Sequence, residues 1–302
     1  MITLKQKQQI RLLSTAGLNA TQIAEKTGVS QTTLKTLKDS CRTIMAISDG
    51  HCGHEAGICP PKWHQYIKTD KLLRQAKETW QWYSEMCDLI KPNTVFVVGD
   101  MLDGKGEASG GSELISSDWK IQVAMATAVI ERTGAKICEM CFGTPYHTGK
   151  TDDYEGFIAE KLNNKGIKTK ISGHGVPIIH QIQFSIKHKV GNSTIDYGRA
   201  TAVKKEKMWA TLWSERDQMP KIDVLLRGHV HYHQAIKDYS AWAIIMPALQ
   251  GWGSKFGVRQ CSGIVDTGLI WFKICDGDTV DTLEWHGNLP KLECQKIIPY
   301  KI

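Results

Sequence analysis

The sequence lacks any long apolar run. Its longest, from Ala241 to Leu249, is too short to cross a bilayer and contains Pro247. A membrane-spanning helix is thereby excluded from the expectation. The start, Met1-Ile2-Thr3-Leu4-Lys5, has no apolar signal segment. There is no internal repeat and no low-complexity stretch, which argues against a solenoid or a linker-rich chain. The nine cysteines are odd in number and scattered over 302 residues, so they do not read as a disulfide framework. These absences together predict a protein of a reducing cytoplasm with no membrane partner. Cys138-Glu139-Met140-Cys141 has CxxC spacing, but it lies in a strand-like run. Small buried hydrophobes are the expectation there, not a redox or zinc pair. Negative charge is scarce near the start: residues 1–40 hold six of the 38 basic side chains but only two of the 31 acidic ones. That imbalance favours a polyanionic partner for the N-terminal segment.

What is present is ordinary for a globular protein, with 41% hydrophobic and 23% charged residues. The length allows one large domain with a small appendage. The expected division is residues 1–40 as a helical unit and 41–302 as an α/β domain. Strands are expected at Thr43 to Ile47, Thr94 to Val98, Lys136 to Phe142, Ile178 to Ile186 and Ile222 to Leu226. Helices are expected at Thr69 to Ile90, Trp119 to Arg132, Asp152 to Leu162 and Thr201 to Glu215. The stretch from Ile244 onward, through Ile264 to Ile274 and Thr279 to Trp285, reads as antiparallel strands and hairpins.

The strand ends carry the chemistry. The run Thr94-Val95-Phe96-Val97-Val98 stops at Gly99-Asp100-Met101-Leu102-Asp103, and open α/β sheets place ligands at such carboxyl ends. Asp49 and His51 follow the earlier run, and His229 and His231 follow a later one. Oxygen and imidazole donors of this kind hold catalytic divalent metals.

The order Ser48-Asp49-Gly50-His51, Gly99-Asp100-x-x-Asp103, a glycine turn with His147, His188, and Gly228-His229-x-His231 resembles the calcineurin-like metallophosphoesterase superfamily. The resemblance spans roughly residues 43 to 233. It implies a four-layered α/β sandwich and two divalent ions, with Mn2+ first and Zn2+, Fe2+ or Ni2+ as alternatives. It implies Asp49, His51 and His231 around the first metal, His188 and His229 around the second, and Asp100 between them. His188 is preferred to His174 and His180 because it closes a strand-like run. His147 would protonate the leaving oxygen and Asp103 would orient it. The chain departs from the family at Gly143-Thr144-Pro145-Tyr146-His147. The family has Gly-Asn-His there, so Thr144 stands in as the neutral ligand and the second metal should bind more weakly.

Residues 18–37 resemble the helix-turn-helix of DNA-binding proteins, with Ala24, Gly28, Val29 and Leu34 at the small, turn and core positions. That resemblance implies Gln31, Thr32, Thr33, Lys35 and Lys38 as the DNA-contacting residues. The joint expectation is a metal-dependent phosphoesterase acting on nucleic acid, as a nuclease or DNA-end phosphatase. Such a fusion resembles proteins of bacteriophages and prophages, placing it in the cytoplasm of a bacterium or phage-infected cell. Two rivals fit the same residues. One is a phosphatase on nucleotides or phosphoproteins whose N-terminal module docks a partner. The other is a DNA-binding regulator with a degenerate phosphoesterase domain. The sequence does not set the oligomeric state.

Overall fold

The structure is a computed structural model. It describes residues 17–34, 41–107, 110–149, 152–238, 240–254 and 265–296, with residues 3, 6, 9, 10, 13, 258 and 299 besides.

Near the N-terminus, α1 (Ala20–Thr27) opens on a capping box. The Asn19 side chain accepts from the Gln22 amide while Gln22 reaches back to the Asn19 amide. Gly28 ends it in the left-handed conformation, with φ of 67°. Residues 31–34 are again helical. Ile23, Val29 and Leu34 bury a small core with Ile10, Leu13, Leu18 and Ala24 against it.

The rest is built on two sheets. The first has β1 (Arg42–Ile47), β2 (Thr94–Val98), β3 (Ile137–Cys141), β4 (Lys168–Ser172), β10 (Leu269–Ile274) and β11 (Glu284–Asn288), in the order β11-β10-β1-β2-β3-β4. Strands β1 to β4 are mutually parallel, and β10 joins β1 antiparallel. The second sheet has β5 (Ile178–Ile179), β6 (Ile182–Ile186), β7 (Val224–Arg227), β8 (Gln234–Lys237) and β9 (Trp242–Ile245), in the order β5-β6-β7-β9-β8. Here β6, β7 and β9 run parallel.

Side-chain alternation along buried strands sets the layers. Ile44, Ala46, Phe96 and Val98 meet Phe184, Ile186, Val224, Leu226 and Ile244 between the sheets. Their neighbours Met45, Ile47, Val95 and Val97 turn outward to α2 (Asp70–Ile90), α3 (Trp119–Arg132) and α5 (Glu155–Asn164). On the far side, Leu225, Ala243 and Ile245 pack on Val203 and Ala210 of α6 (Arg199–Glu215). Helix, sheet, sheet, helix is the four-layered α/β sandwich that the resemblance implied. On α2, Leu72, Ala76, Tyr83 and Cys87 are buried, with Trp80 and Ile90 partly buried beside them.

Three features differ from the sequence reading. Strand β4 was not expected, because four of the five residues of Lys168-Thr-Lys-Ile-Ser are polar, as an exposed edge strand can be. The C-terminal stretch holds the expected antiparallel pairs, β10 with β11 and β8 with β9, but not those pairs alone. β9 lies parallel to β7, while β10 crosses to the first sheet. Cys41 and Cys275 form a disulfide across 234 residues. The β1–β10 register, which pairs Arg42 with Ile274, brings those cysteines together, and no local spacing announces it. By contrast Cys138 and Cys141 are buried in different cores on opposite faces of β3, so they cannot grip one ion. Among the described residues, no helix is long and apolar enough to cross a membrane.

Candidate metal centre

The carboxyl ends of β1, β2, β3, β6 and β7 converge on one site. Asp49 and His51 leave β1, and Asp100 and Asp103 leave β2. Thr144 and His147 lie on the short helix α4 (Pro145–Thr148) or at its cap, after β3. His188 leaves β6, and His229 and His231 leave β7. Five of these residues hold positive φ: Asp49 at 51°, His51 at 44°, Asp100 at 48°, His229 at 79° and His231 at 56°. Non-glycine residues rarely adopt that conformation, and it gathers where function overrides local preference.

Donor atoms fall into overlapping groups within 4.8 Å of one another: Asp49, His51 and His231; Asp100, His188 and His229; and His51, Asp100 and His147. His51 Nδ1 sits 3.0 Å from Asp103 Oδ1. With that carboxylate as acceptor, Nδ1 carries the proton and Nε2 presents a lone pair. Nε2 faces His231 Nε2 at 3.2 Å, and His231 Nε2 lies 3.2 Å from Asp49 Oδ1. In the second group His188 Nδ1 donates to the Val98 carbonyl at 2.6 Å, leaving Nε2 free. Nε2 lies 2.8 Å from Asp100 Oδ2, yet it is buried without a hydrogen bond of sound geometry. Imidazoles that donate one ring N–H to a carboxylate or carbonyl and aim the other nitrogen inward are oriented as metal ligands.

Charge supports the same reading. Burial alone would raise the Asp49 carboxyl, but His231, His188 and His51 together outweigh it and hold it below the usual carboxylate range. Burial would lower His188, yet Asp49 and Asp100 push it up to about 10. A proton on Nε2 offsets the facing carboxylates. Burial, followed by repulsion from His147, lowers His51 to about 4. Burial and then His188 lower His229. Both are therefore neutral near pH 7 and available as ligands.

The walls leave no room for larger residues. A Cβ on Gly143 would meet Asp100 Oδ1 at 2.0 Å, and one on Gly228 would meet Ser48 Oγ at 2.2 Å and Asp49 Oδ2 at 2.8 Å. The donor set, the fixed tautomers and this cradle fit divalent cations bound by nitrogen and oxygen.

The remaining site residues occupy defined places. Thr144 donates its amide to Asp100 Oδ1 at 2.6 Å, and its hydroxyl lies 3.2 Å from both carboxylate oxygens. His147 Nδ1 takes the Asp103 carbonyl at 2.9 Å, while the Asp103 carboxylate is 3.7 Å away and closer to His51. His147 is the more exposed of the two imidazoles beside Asp103. His174 bonds Ser185 Oγ, and His180 lies in the turn between β5 and β6; neither is in a donor group.

Of the DNA-contact candidates, Gln31 and Thr32 are exposed and Thr33 is half-buried. The Gln31 amide donates to Thr21 Oγ1 at 3.0 Å. Lys35 and Lys38 lie outside the described residues.

Sequence reasoning missed Glu155. It is fully buried at the start of α5, and burial followed by the Asp100 charge pushes it up to about 7. In the sequence it reads as an ordinary acid in a first helical turn, and no local signal marks it.

No protein-family model matches the chain, and no curated protein matches it either. Solved structures do. One is described as a novel archaeal phosphodiesterase: 14% identity, 82% of this chain and 99% of that one covered, TM-score 0.45. Another is wild-type Vps29 of Entamoeba histolytica complexed with zinc, at 14% identity, 82% and 98% coverage and TM-score 0.40. A third is the NAD nucleotidase of Haemophilus influenzae, at 11% identity, 83% and 49% coverage and TM-score 0.34. At these levels of similarity the function is read from the site itself.

Proposed function

We propose that the chain is a divalent-cation-dependent phosphoesterase acting on nucleic acid, as a nuclease or DNA-end phosphatase, with residues 1–40 as its DNA-binding module. The observation that carries the hydrolytic part is the pair of donor groups at the strand ends, with imidazole tautomers fixed by Asp103 and Val98. Asp49, His51 and His231 would hold one cation. His188 and His229 would hold a second, with Asp100 shared and Thr144 a weak neutral donor. Such cations, when bound, supply Lewis acidity and an activated water at neutral pH.

The chain's own residues do the rest. His147 is held through Nδ1–H by the Asp103 carbonyl; as an imidazolium it would present Nε2–H to the departing oxygen, give up that proton and return to the neutral ring. Asp103 fixes the His51 ring. The nucleic-acid part rests on the capped α1, the Gly28 turn, the small core around Ile23, Val29 and Leu34, and the basic excess of residues 1–40.

The deciding experiment is one panel: protein with manganese, assayed on bis-p-nitrophenyl phosphate, p-nitrophenyl phosphate, single-stranded DNA and duplex DNA. Diester or DNA-end hydrolysis should appear, vanish on chelation and be absent in a folded Asp100→Ala variant. Hydrolysis that survives in that variant overturns the site assignment. A folded, metal-loaded protein that cleaves nothing in the panel overturns the enzymatic reading.

A further inference from the structure

Two loops from different strands meet at Asp100, a member of the second donor group. One is Gly99-Asp100-Met101 after β2 and the other is Gly143-Thr144 after β3. The Asp100 side chain ties them once, through the Thr144 amide and hydroxyl. A ligand carboxylate that also serves as the hydrogen-bond acceptor for its neighbour's turn is not fixed by that contact alone. Its oxygens must keep their direction when a cation draws on them.

Glu155 supplies a second tie. Oε1 accepts from the Met101 amide at 2.7 Å, and Oε2 accepts from the Gly143 amide at 2.8 Å. Those amides belong to the residue after Asp100 and the residue before Thr144. One side chain thus spans the two loops from below, and it is fully buried while doing so. Amide-to-carboxylate bonds are charge-assisted and stronger than neutral ones. They also act on backbone held in an uncommon conformation, with φ of 73° at Gly99 and 48° at Asp100. Gly143 cannot carry a larger side chain, because a Cβ on it would run into Asp100 Oδ1 and the Asp100 backbone.

We propose that Glu155 is a positioning residue for the second cation: it clasps the Met101 and Gly143 amides so that Asp100 and Thr144 face the same point. The proposal rests on the metal-dependent reading of the site, but not on what substrate is cleaved. Glu155→Gln keeps the shape and turns one acceptor oxygen into an amide donor facing an N–H. One clasp is lost, and a buried N–H is left without a partner. Outer-shell losses of this kind lower metal affinity about 10- to 100-fold.

The test is calorimetric titration of manganese into the full-length wild-type chain, Glu155→Gln and Glu155→Asp, with thermal melts of each metal-free protein. Two binding events are expected in the wild type. Glu155→Gln should weaken the Asp100–His188–His229 event about 10- to 100-fold and leave the Asp49–His51–His231 event much less changed. A general loss of stability would weaken both alike. Glu155→Asp is the milder variant for folding: one methylene shorter, it cannot span both amides, and it should shift the same event in the same direction. Wild-type affinities for both events in either folded variant would overturn the proposal, and so would equal weakening of the two. Absence of hydrolysis in a wild-type chain that binds two cations would instead overturn the proposed activity and leave Glu155's role standing.

Discussion

Metal uptake should expel a proton from His188. Its Nε2 lies 2.8 Å from Asp100 Oδ2 and 3.9 Å from Asp49 Oδ1. Burial opposes a charge there, but the two carboxylates outweigh it and raise the group to about 10. His188 is thus protonated at pH 8, whereas His51, near 4, is neutral. Glu155, near 7, is by then mostly ionised. A cation can use Nε2 only after that proton leaves. Above pH 8 one proton should therefore appear for each cation bound at the His188 group. Its affinity should rise about tenfold per pH unit, or about 1.4 kcal/mol, until the pH nears 10. Calorimetric titration under nitrogen, in two buffers of different ionisation enthalpy at pH 8, 8.5 and 9, reads both quantities. The linkage has a sign for stability too. A folded-state value raised above the usual 6.5 stabilises the metal-free fold fully below about pH 6.5, and this contribution is lost as the pH rises through about 10. The metal-free melting temperature should accordingly fall more between pH 8 and 10 than that of the loaded protein, in which a cation replaces the proton. Affinity independent of pH with no proton released would refute the assignment of His188 as a ligand that faces two carboxylates.

Two further outcomes are expected. His147→Ala should slow turnover of an ester with a poor leaving group roughly 10²- to 10⁴-fold. Nitrophenolate needs no proton on departure, so its release should slow much less; loss of a manganese-binding event instead would make His147 a ligand, as its place in a donor group with His51 and Asp100 permits. Deleting residues 1–40 should leave hydrolysis of a small chromogenic ester unchanged and weaken duplex DNA binding, with a shallower salt dependence as phosphate contacts are lost. Equal DNA affinity with and without the segment at moderate salt would remove DNA from the account of that module.

The sequence by itself determined the parts that obey local rules. Buried apolar runs marked β1, β2 and β7, because a strand covered on both faces is largely apolar. Helical patterning marked α2, and Gly28 was legible as the turn after α1. The ligand candidates were legible because each follows its strand within a few residues, where a short loop leaves little freedom. Tertiary structure decided what depends on non-local pairing. Nothing near Cys41 announces Cys275, and nothing in β9 or β10 says which sheet takes it; those choices follow from register across the whole chain. The polar β4 became a strand only because β3 offered it an edge. Division of labour inside the site was also tertiary. The Asp103 carboxylate went to His51 while its carbonyl took His147. Glu155 gained its place because the fold buries it beneath two loops, 54 and 12 residues before it in the chain. A side chain's identity sets what it can bond, but only the assembled layers set which donors it meets and how little water is left to compete.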